Sequence, residues 1–221
     1  MCALRCSEGN SEFDSELLWF ACNVVDGAWS PPLNTGCMLQ KAPGEQFTGQ
    51  LRVSTWNSQS LFGVNIHRAG CKQTFLYHHC ALKDVIGIQE THSHHDLVHT
   101  FEAKLRLSHQ CFWSHHPSHS SGGVLLIIAL PFLKLFDFTY EETLEAGRCH
   151  IVFCNGQYGN IALVVLHIEP LWSCAYKSAF LRRLHTIIRS HPQYVFVMFG
   201  DFNFVALGEA THDITNKTSR N

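Results

Sequence analysis

No charge of one sign dominates this chain. Sixteen Lys and Arg stand against eighteen Asp and Glu, for a formal charge of -2. There is no basic arm and no acidic tail, so whole-chain electrostatics give no argument for a nucleic-acid partner, although a local patch would suffice. No apolar run reaches the length of about 18 residues that a spanning helix needs, so neither a transmembrane segment nor a membrane partner is predicted. The N-terminus lacks a basic stretch followed by an apolar core, so no signal peptide is predicted. An intracellular setting follows as the default, with nucleus or cytoplasm left open. The ten cysteines, at 2, 6, 22, 37, 71, 80, 111, 149, 154 and 174, form no Cys-x-x-Cys pair and no regular framework. That excludes a short disulfide-stapled scaffold and favours reduced, buried thiols. No internal repeat is visible.

What is there suits one large domain. The chain has 221 residues, 46% hydrophobic and 12% aromatic, enough to bury a sizeable core. Residues 1–48 read as a poorly ordered lead-in, punctuated by Pro and Gly in "WSPPLNTG" and "KAPGEQFTGQ". Residues 49–221 read as the domain. Strands are predicted at "LRVSTWN" (51–57), "VIGIQE" (85–90), "SGGVLLIIA" (121–129), "GRCHIVFC" (147–154), "GNIALVVLHIEP" (159–170) and "YVFVMFGDFNF" (194–204). "NGQYG" between the fourth and fifth reads as a hairpin turn. Helices are predicted near 67–82, 94–105 and 175–191, the last from Phe180, Leu181, Leu184, Ile187 and Ile188 at helical spacing. Strands with occasional helices indicate an α/β sandwich.

The strand ends carry the chemistry. "YVFVM" is a continuous apolar run, as expected of a strand covered on both faces, yet it finishes in Gly-Asp-Phe-Asn. Gly200 allows a turn or a close backbone approach. Asp201 and Asn203 lie two apart, so in extended geometry they point the same way. Gly, Asp and Asn are also ordinary turn residues. Three more strands end alike, in Trp56-Asn57, in Gln89-Glu90 and in His167. This set suits phosphodiester hydrolysis. Mg²⁺ takes hard oxygen ligands and keeps several waters, so Glu90 would serve as its ligand. Asp201 would orient and deprotonate a water. Asn57 and Asn203 would donate to phosphate oxygens or a neighbouring carboxylate, and His167 would hydrogen-bond or protonate the phosphate.

Taken in order, "TWN", "VIGIQET", "GGVLLI", "GR", "LVVLHIEP" and "FGDFN" resemble the endonuclease/exonuclease/phosphatase superfamily over roughly 51–206. The resemblance implies two mixed β-sheets packed face to face with helices outside, as in the deoxyribonuclease-like fold. It implies Mg²⁺, or Mn²⁺ in its place, held by Glu90 with Asn57 beside metal and phosphate. It implies catalytic roles for Asn57, Glu90, His167, Asp201 and Asn203, and phosphate binding by Arg148, Asn57 and Asn203, with Arg148 alternatively bracing the site. In style the chain is most similar to the endonuclease domain of a non-LTR retrotransposon. That implies DNA as substrate and a larger polyprotein context with a reverse transcriptase.

One family motif, a late Ser/Thr-Asp-His, has no match at the expected spacing. "THD" at 211–213 follows Asn203 too closely. The chain is therefore expected to be incomplete at its C-terminus and weak or inactive. The alternatives are a phosphatase on inositol phosphates or phospholipids with the same fold, and a catalytically dead remnant. Ten of the sixteen histidines fall between 78 and 119, and His95 and His99 stand i, i+4, which raises a zinc-binding module as a further alternative to unselected surface histidines. Arg182, Arg183, Arg189, Trp113 and Trp172 are weighed as nucleic-acid contacts against ordinary surface and core roles, which are favoured. Glu169, two after His167, is noted as a brace for the site edge but left out of the site.

Overall fold

The computed structural model describes Phe47 and residues 49–118, 121–157 and 159–203. The lead-in, apart from Phe47, and the "THD" triplet lie outside the described residues.

Two four-stranded sheets stack face to face. The first takes β1 (Val53–Asn57), β2 (Val85–Gln89), β4 (Val124–Ala129) and β3 (His109–Ser114), in that order across the sheet. The second takes β5 (Phe138–Glu145), β6 (Cys149–Asn155), β7 (Asn160–His167) and β8 (Tyr194–Asp201). Each sheet has one parallel pair at an edge, β1 with β2 and β7 with β8, followed by two antiparallel pairings. A parallel pair needs a crossover, and a helix supplies each one. Helix α1 (Ile66–Cys80) joins β1 to β2, and α4 (Cys174–Ser190) joins β7 to β8. Helix α2 (His95–Leu105) follows β2, and the short α3 (Leu130–Leu133) follows β4.

Helix starts are written locally. The Asn65 side chain accepts from the Arg68 N–H, and that of Ser173 accepts from the Tyr176 N–H, capping α1 and α4. Strand alternation then sorts side chains between layers. On β7, Ile161, Leu163 and Val165 enter the core between the sheets, while Ala162, Val164 and Leu166 face the layer under Phe180 and Leu184 of α4. On the other flank Ile86, Ile88, Leu125 and Ile127 pack beneath Leu76 of α1 and Phe101 and Leu105 of α2. The result is helix, sheet, sheet, helix. Both faces of the central strands are covered, which is why they read as unbroken apolar runs.

The sheets approach closely where β2 meets β8. A Cβ on Gly87 would lie 2.3 Å from the Phe199 ring. No turn forms at Gly200. Strand β8 runs through it, at φ 151°, and a Cβ there would lie 1.9 Å from the Leu166 carbonyl oxygen. The close-approach reading of that glycine is the one the fold uses.

Two strands are absent from the predictions above, β3 and β5. Both lie at the edge opposite the parallel pair, and polar residues interrupt the apolar signal in each. In "FTYEETLE" three of eight residues are Glu, and the strand is recognisable only once β6 supplies its partner. No helix among the described residues is long and apolar enough to cross a membrane.

Candidate active site

The two parallel pairs point their C-terminal ends to one edge of the sandwich. In the first sheet Asn57 pairs with Gln89, and Glu90 follows at once. In the second His167 pairs with Asp201. The Asn57 amide bridges the sheets. Its Nδ2 donates to Glu90 Oε1 at 3.1 Å and to Asp201 Oδ2 at 3.0 Å. Its Oδ1 accepts from the Gln59 N–H at 3.1 Å, which fixes the orientation of the amide. His167 Nε2 lies 3.2 Å from Glu90 Oε1. The contact is close but poorly aligned, so this buried nitrogen has no formed hydrogen bond. The attraction is electrostatic.

Local backbone aims these groups. Glu90 sits at φ 52° and Asn203 at φ 47°, in the left-handed region. Each such residue costs on the order of 1–2 kcal/mol and persists only where its surroundings hold it. Around Glu90 the surroundings are explicit. The Ser60 N–H donates to the Glu90 carbonyl at 2.7 Å, and the Ser58 hydroxyl donates to it at 3.0 Å. Lys72, reaching from α1, holds the same loop by donating to the carbonyls of Ser58, Gln59 and Ser60.

The Glu90 carboxyl is drawn down to about 2 by the neighbouring His167 imidazole and by the Asn57 amide, against the upward push of burial. It is therefore an anion throughout the neutral range. Asp201 stands beside it, and no Lys or Arg touches either carboxylate among the described residues. Two carboxylates gathered on one neutral amide form the chemistry of a divalent-cation site. Both protein contacts to Glu90 fall on Oε1, which leaves Oε2 for another partner. Among the described residues no group of three or more His, Cys, Asp or Glu is spaced to enclose an ion. The set thus fits Mg²⁺, which keeps waters and needs one or two carboxylates, better than a closed zinc cage.

The remaining expected residues sit nearby in other postures. Asn203 donates its backbone N–H to Asp201 Oδ1 at 3.1 Å, but its side-chain Nδ2 donates to the Ile168 carbonyl at 2.8 Å. Extended geometry ends at Asp201, so the two side chains do not run parallel as alternation implied. Asn57 turns nitrogen, not oxygen, toward the carboxylates, so in this posture its amide holds the would-be ligand rather than joining it. Arg148 is buried, and its guanidinium is taken up by neighbouring side chains. Its Nη1 donates to His167 Nδ1 at 2.7 Å, and Nη2 pairs with the Glu169 carboxylate. This favours the bracing role for Arg148 over phosphate contact. Glu169, left outside the site in the sequence reading, joins the cluster through it. The i, i+2 relation of His167 and Glu169 at the end of β7 was the available signal.

Several of the other weighed residues make their contacts with partners outside this cluster. Arg183 donates to Glu145 and to the Leu144 carbonyl, pinning α4 to β5. Trp113 donates to Glu102 and stacks on His115, and Trp172 packs on Tyr176 and Phe180. His95 meets His115 edge to face, with ring centres 4.5 Å apart.

Comparison with known proteins bears on the fold and the family. No curated protein sequence matches the chain significantly. Among solved structures, truncated TDP2 of Caenorhabditis elegans superposes with a TM-score of 0.50 at 17% identity, covering 69% of this chain and 62% of that one. An AP endonuclease from Archaeoglobus fulgidus gives 0.50 at 17% identity over 70% of this chain and 58% of its own. The 3′ phosphatase NExo from Neisseria, bound to a product DNA hairpin, gives 0.50 at 18% identity over 70% and 58%. At such identities the likeness establishes the fold, and each alignment spans less than two thirds of the solved chain. The sequence profile of the Endonuclease/Exonuclease/phosphatase family matches residues 54–221, about three quarters of the chain, so the protein belongs to that family.

Proposed function

We propose that the chain is a divalent-metal-dependent phosphodiester hydrolase acting on DNA, an endonuclease of retroelement type. One observation carries this reading. Asn57, Glu90, His167 and Asp201 come from four strands of two sheets and meet within 3.2 Å contacts at a single edge. Membership of the family and the DNA-bound state of the Neisseria neighbour support it. The retroelement assignment rests on the resemblance of the sequence and on its Cys- and His-rich composition.

In this mechanism Glu90 would hold Mg²⁺. Bound there, it would supply Lewis-acid stabilisation of charge on the phosphate. Asn57 keeps Glu90 and Asp201 at a fixed separation. Asp201, held by Asn57 on Oδ2 and by the Asn203 N–H on Oδ1, orients the attacking water and takes its proton. His167 offers its Nε2 hydrogen to a phosphoryl oxygen, an acceptor that would replace its poorly aligned contact with Glu90.

Supercoiled-plasmid nicking with Mg²⁺ and with EDTA tests the reading. The expected result is metal-dependent conversion to open circles that Glu90→Gln and Asp201→Asn abolish while circular dichroism stays unchanged. Absence of nicking by the unaltered protein, or equal nicking by both variants, overturns it.

A further inference from the structure

We propose that Arg148 and Glu169 are positioning residues that lock His167 in the tautomer carrying its ring hydrogen on Nε2. Arginine has five N–H donors and no acceptor. A guanidinium nitrogen 2.7 Å from His167 Nδ1 can only donate, so Nδ1 must accept. The ring hydrogen then belongs to Nε2, the atom that faces Glu90 at 3.2 Å. The more usual second-shell partner of Nδ1 is a carbonyl or carboxylate, which would leave Nε2 an acceptor. Here the polarity is reversed. A donor at Nε2 suits a phosphoryl oxygen, which can only accept.

The guanidinium has little freedom to choose otherwise. Glu169, just past the end of β7, pairs with Nη2 and sets its rotation. The Arg148 carbonyl accepts from the His167 N–H at 2.7 Å, so the two residues are also joined through the backbone. The register of β5 against β6 shifts between Thr143 and Glu145, just ahead of the turn that leads into Arg148. Such irregularities re-aim side chains beside sites. Gly147 completes the device at φ 66°, donating to the buried Ser114 hydroxyl at 2.8 Å. A Cβ at that glycine would lie 2.5 Å from the His116 Cα, so the turn admits no larger residue. Arg148 itself is 5% exposed.

The purpose assigned to this lock rests on the hydrolase reading, but the tautomer does not. Long-range ¹H–¹⁵N correlation spectra of ¹⁵N-histidine protein at neutral pH read it directly, and His167→Gln identifies the signals. The expected spectrum has a pyrrole-type Nε2 and a pyridine-type Nδ1. Glu169→Gln, which keeps size, should move both nitrogens toward the averaged values of exchanging tautomers, and Arg148→Met should do so further. Arg148→Lys, which restores a donor, should recover part of the separation. In nicking assays kcat should fall about tenfold or more in Glu169→Gln with KM little changed. A wild-type His167 with hydrogen on Nδ1 overturns the proposal, as do unchanged His167 signals in Glu169→Gln. Should Arg148→Met fail to fold, Glu169→Gln decides alone. Intact tautomer effects without any nicking by the unaltered protein would sink the hydrolase reading and leave the lock standing.

Discussion

Two arginine–carboxylate pairs sit at opposite ends of the sandwich. Arg52 and Asp84 precede β1 and β2, at the N-terminal end of that parallel pair. Arg148 and Glu169 lie where the strands deliver their polar tips. By hydrogen-bond count the first is richer. Arg52 donates to Asp84 from its backbone N–H at 2.8 Å, from Nε at 3.1 Å and from Nη2 at 2.7 Å. Yet its side chain is 66% exposed, whereas that of Arg148 is 6% exposed. Water competes for every donor of Arg52 and screens its charge. Arg148 has left water and, among the described residues, has Glu169, His167 and backbone in exchange. Losing Glu169 therefore strands the Arg148 charge in a low-dielectric interior. Burial, not the number of contacts, decides which pair matters.

Activity offers the largest test of that contrast. Glu90→Gln keeps the shape of the site and removes the anion, and nicking should fall at least a hundredfold. Arg52→Met, at the far end, should leave nicking within experimental error. Equal losses would mean that the molecule, rather than the edge, had been damaged.

Stability comes next. Gly200→Ala forces a Cβ against the Leu166 backbone between the two parallel strands, and should cost about 3 kcal/mol or more in urea unfolding. Arg148→Met should cost about 3–5 kcal/mol, the usual range when a buried pair loses one member. Double replacement with Glu169→Leu should recover part of it, since paired apolar substitutes remove the stranded charge. Loss without recovery would assign Arg148 a packing role instead.

Acid should separate the two ends more gently. Burial holds His79, His92, His109 and His150 below the usual histidine value. The unfolded chain then binds more protons than the folded one once pH drops below about 6.5, so stability should decline from there. Glu90, depressed to about 2, contributes stability above its unfolded value near 4.5 that is lost as pH falls through 2. Urea midpoints measured from pH 7 to pH 3 should fall in both windows, and Glu90→Gln should flatten only the lower one. A lower window that Glu90→Gln does not alter would contradict the site's electrostatics.

The smallest effect belongs to the exposed pair. Arg52→Met should barely shift the urea midpoint, and 1 M NaCl should erase what difference there is. A large, salt-insensitive loss would reverse the ranking of the two pairs.

Much of this edge was legible in the chain itself. Glu90, His167 and Asp201 each end an apolar run and Asn57 ends an alternating one, and a strand ending in a polar tip needs no partner strand to be read. The α/β sandwich followed from those strands and from the helical spacing of α4, because burial leaves a local signature. Edge strands β3 and β5 left none, since half of each faces water and its hydrogen-bonding partner lies elsewhere in the sequence. Nor did the direction of the Asn57 amide, the inward turn of Arg148 or the recruitment of Glu169 show in any motif. Those depend on which atoms from residues tens of positions apart come within 3 Å. The sequence by itself determined which side chains stand at the strand ends, because period and composition are properties of neighbours along the chain. Only the tertiary structure decided which of them touch, and hence that a guanidinium rather than a carboxylate stands behind His167. Hydrogen bonds act over a few ångströms, and only the packing of the two sheets brings those ångströms about.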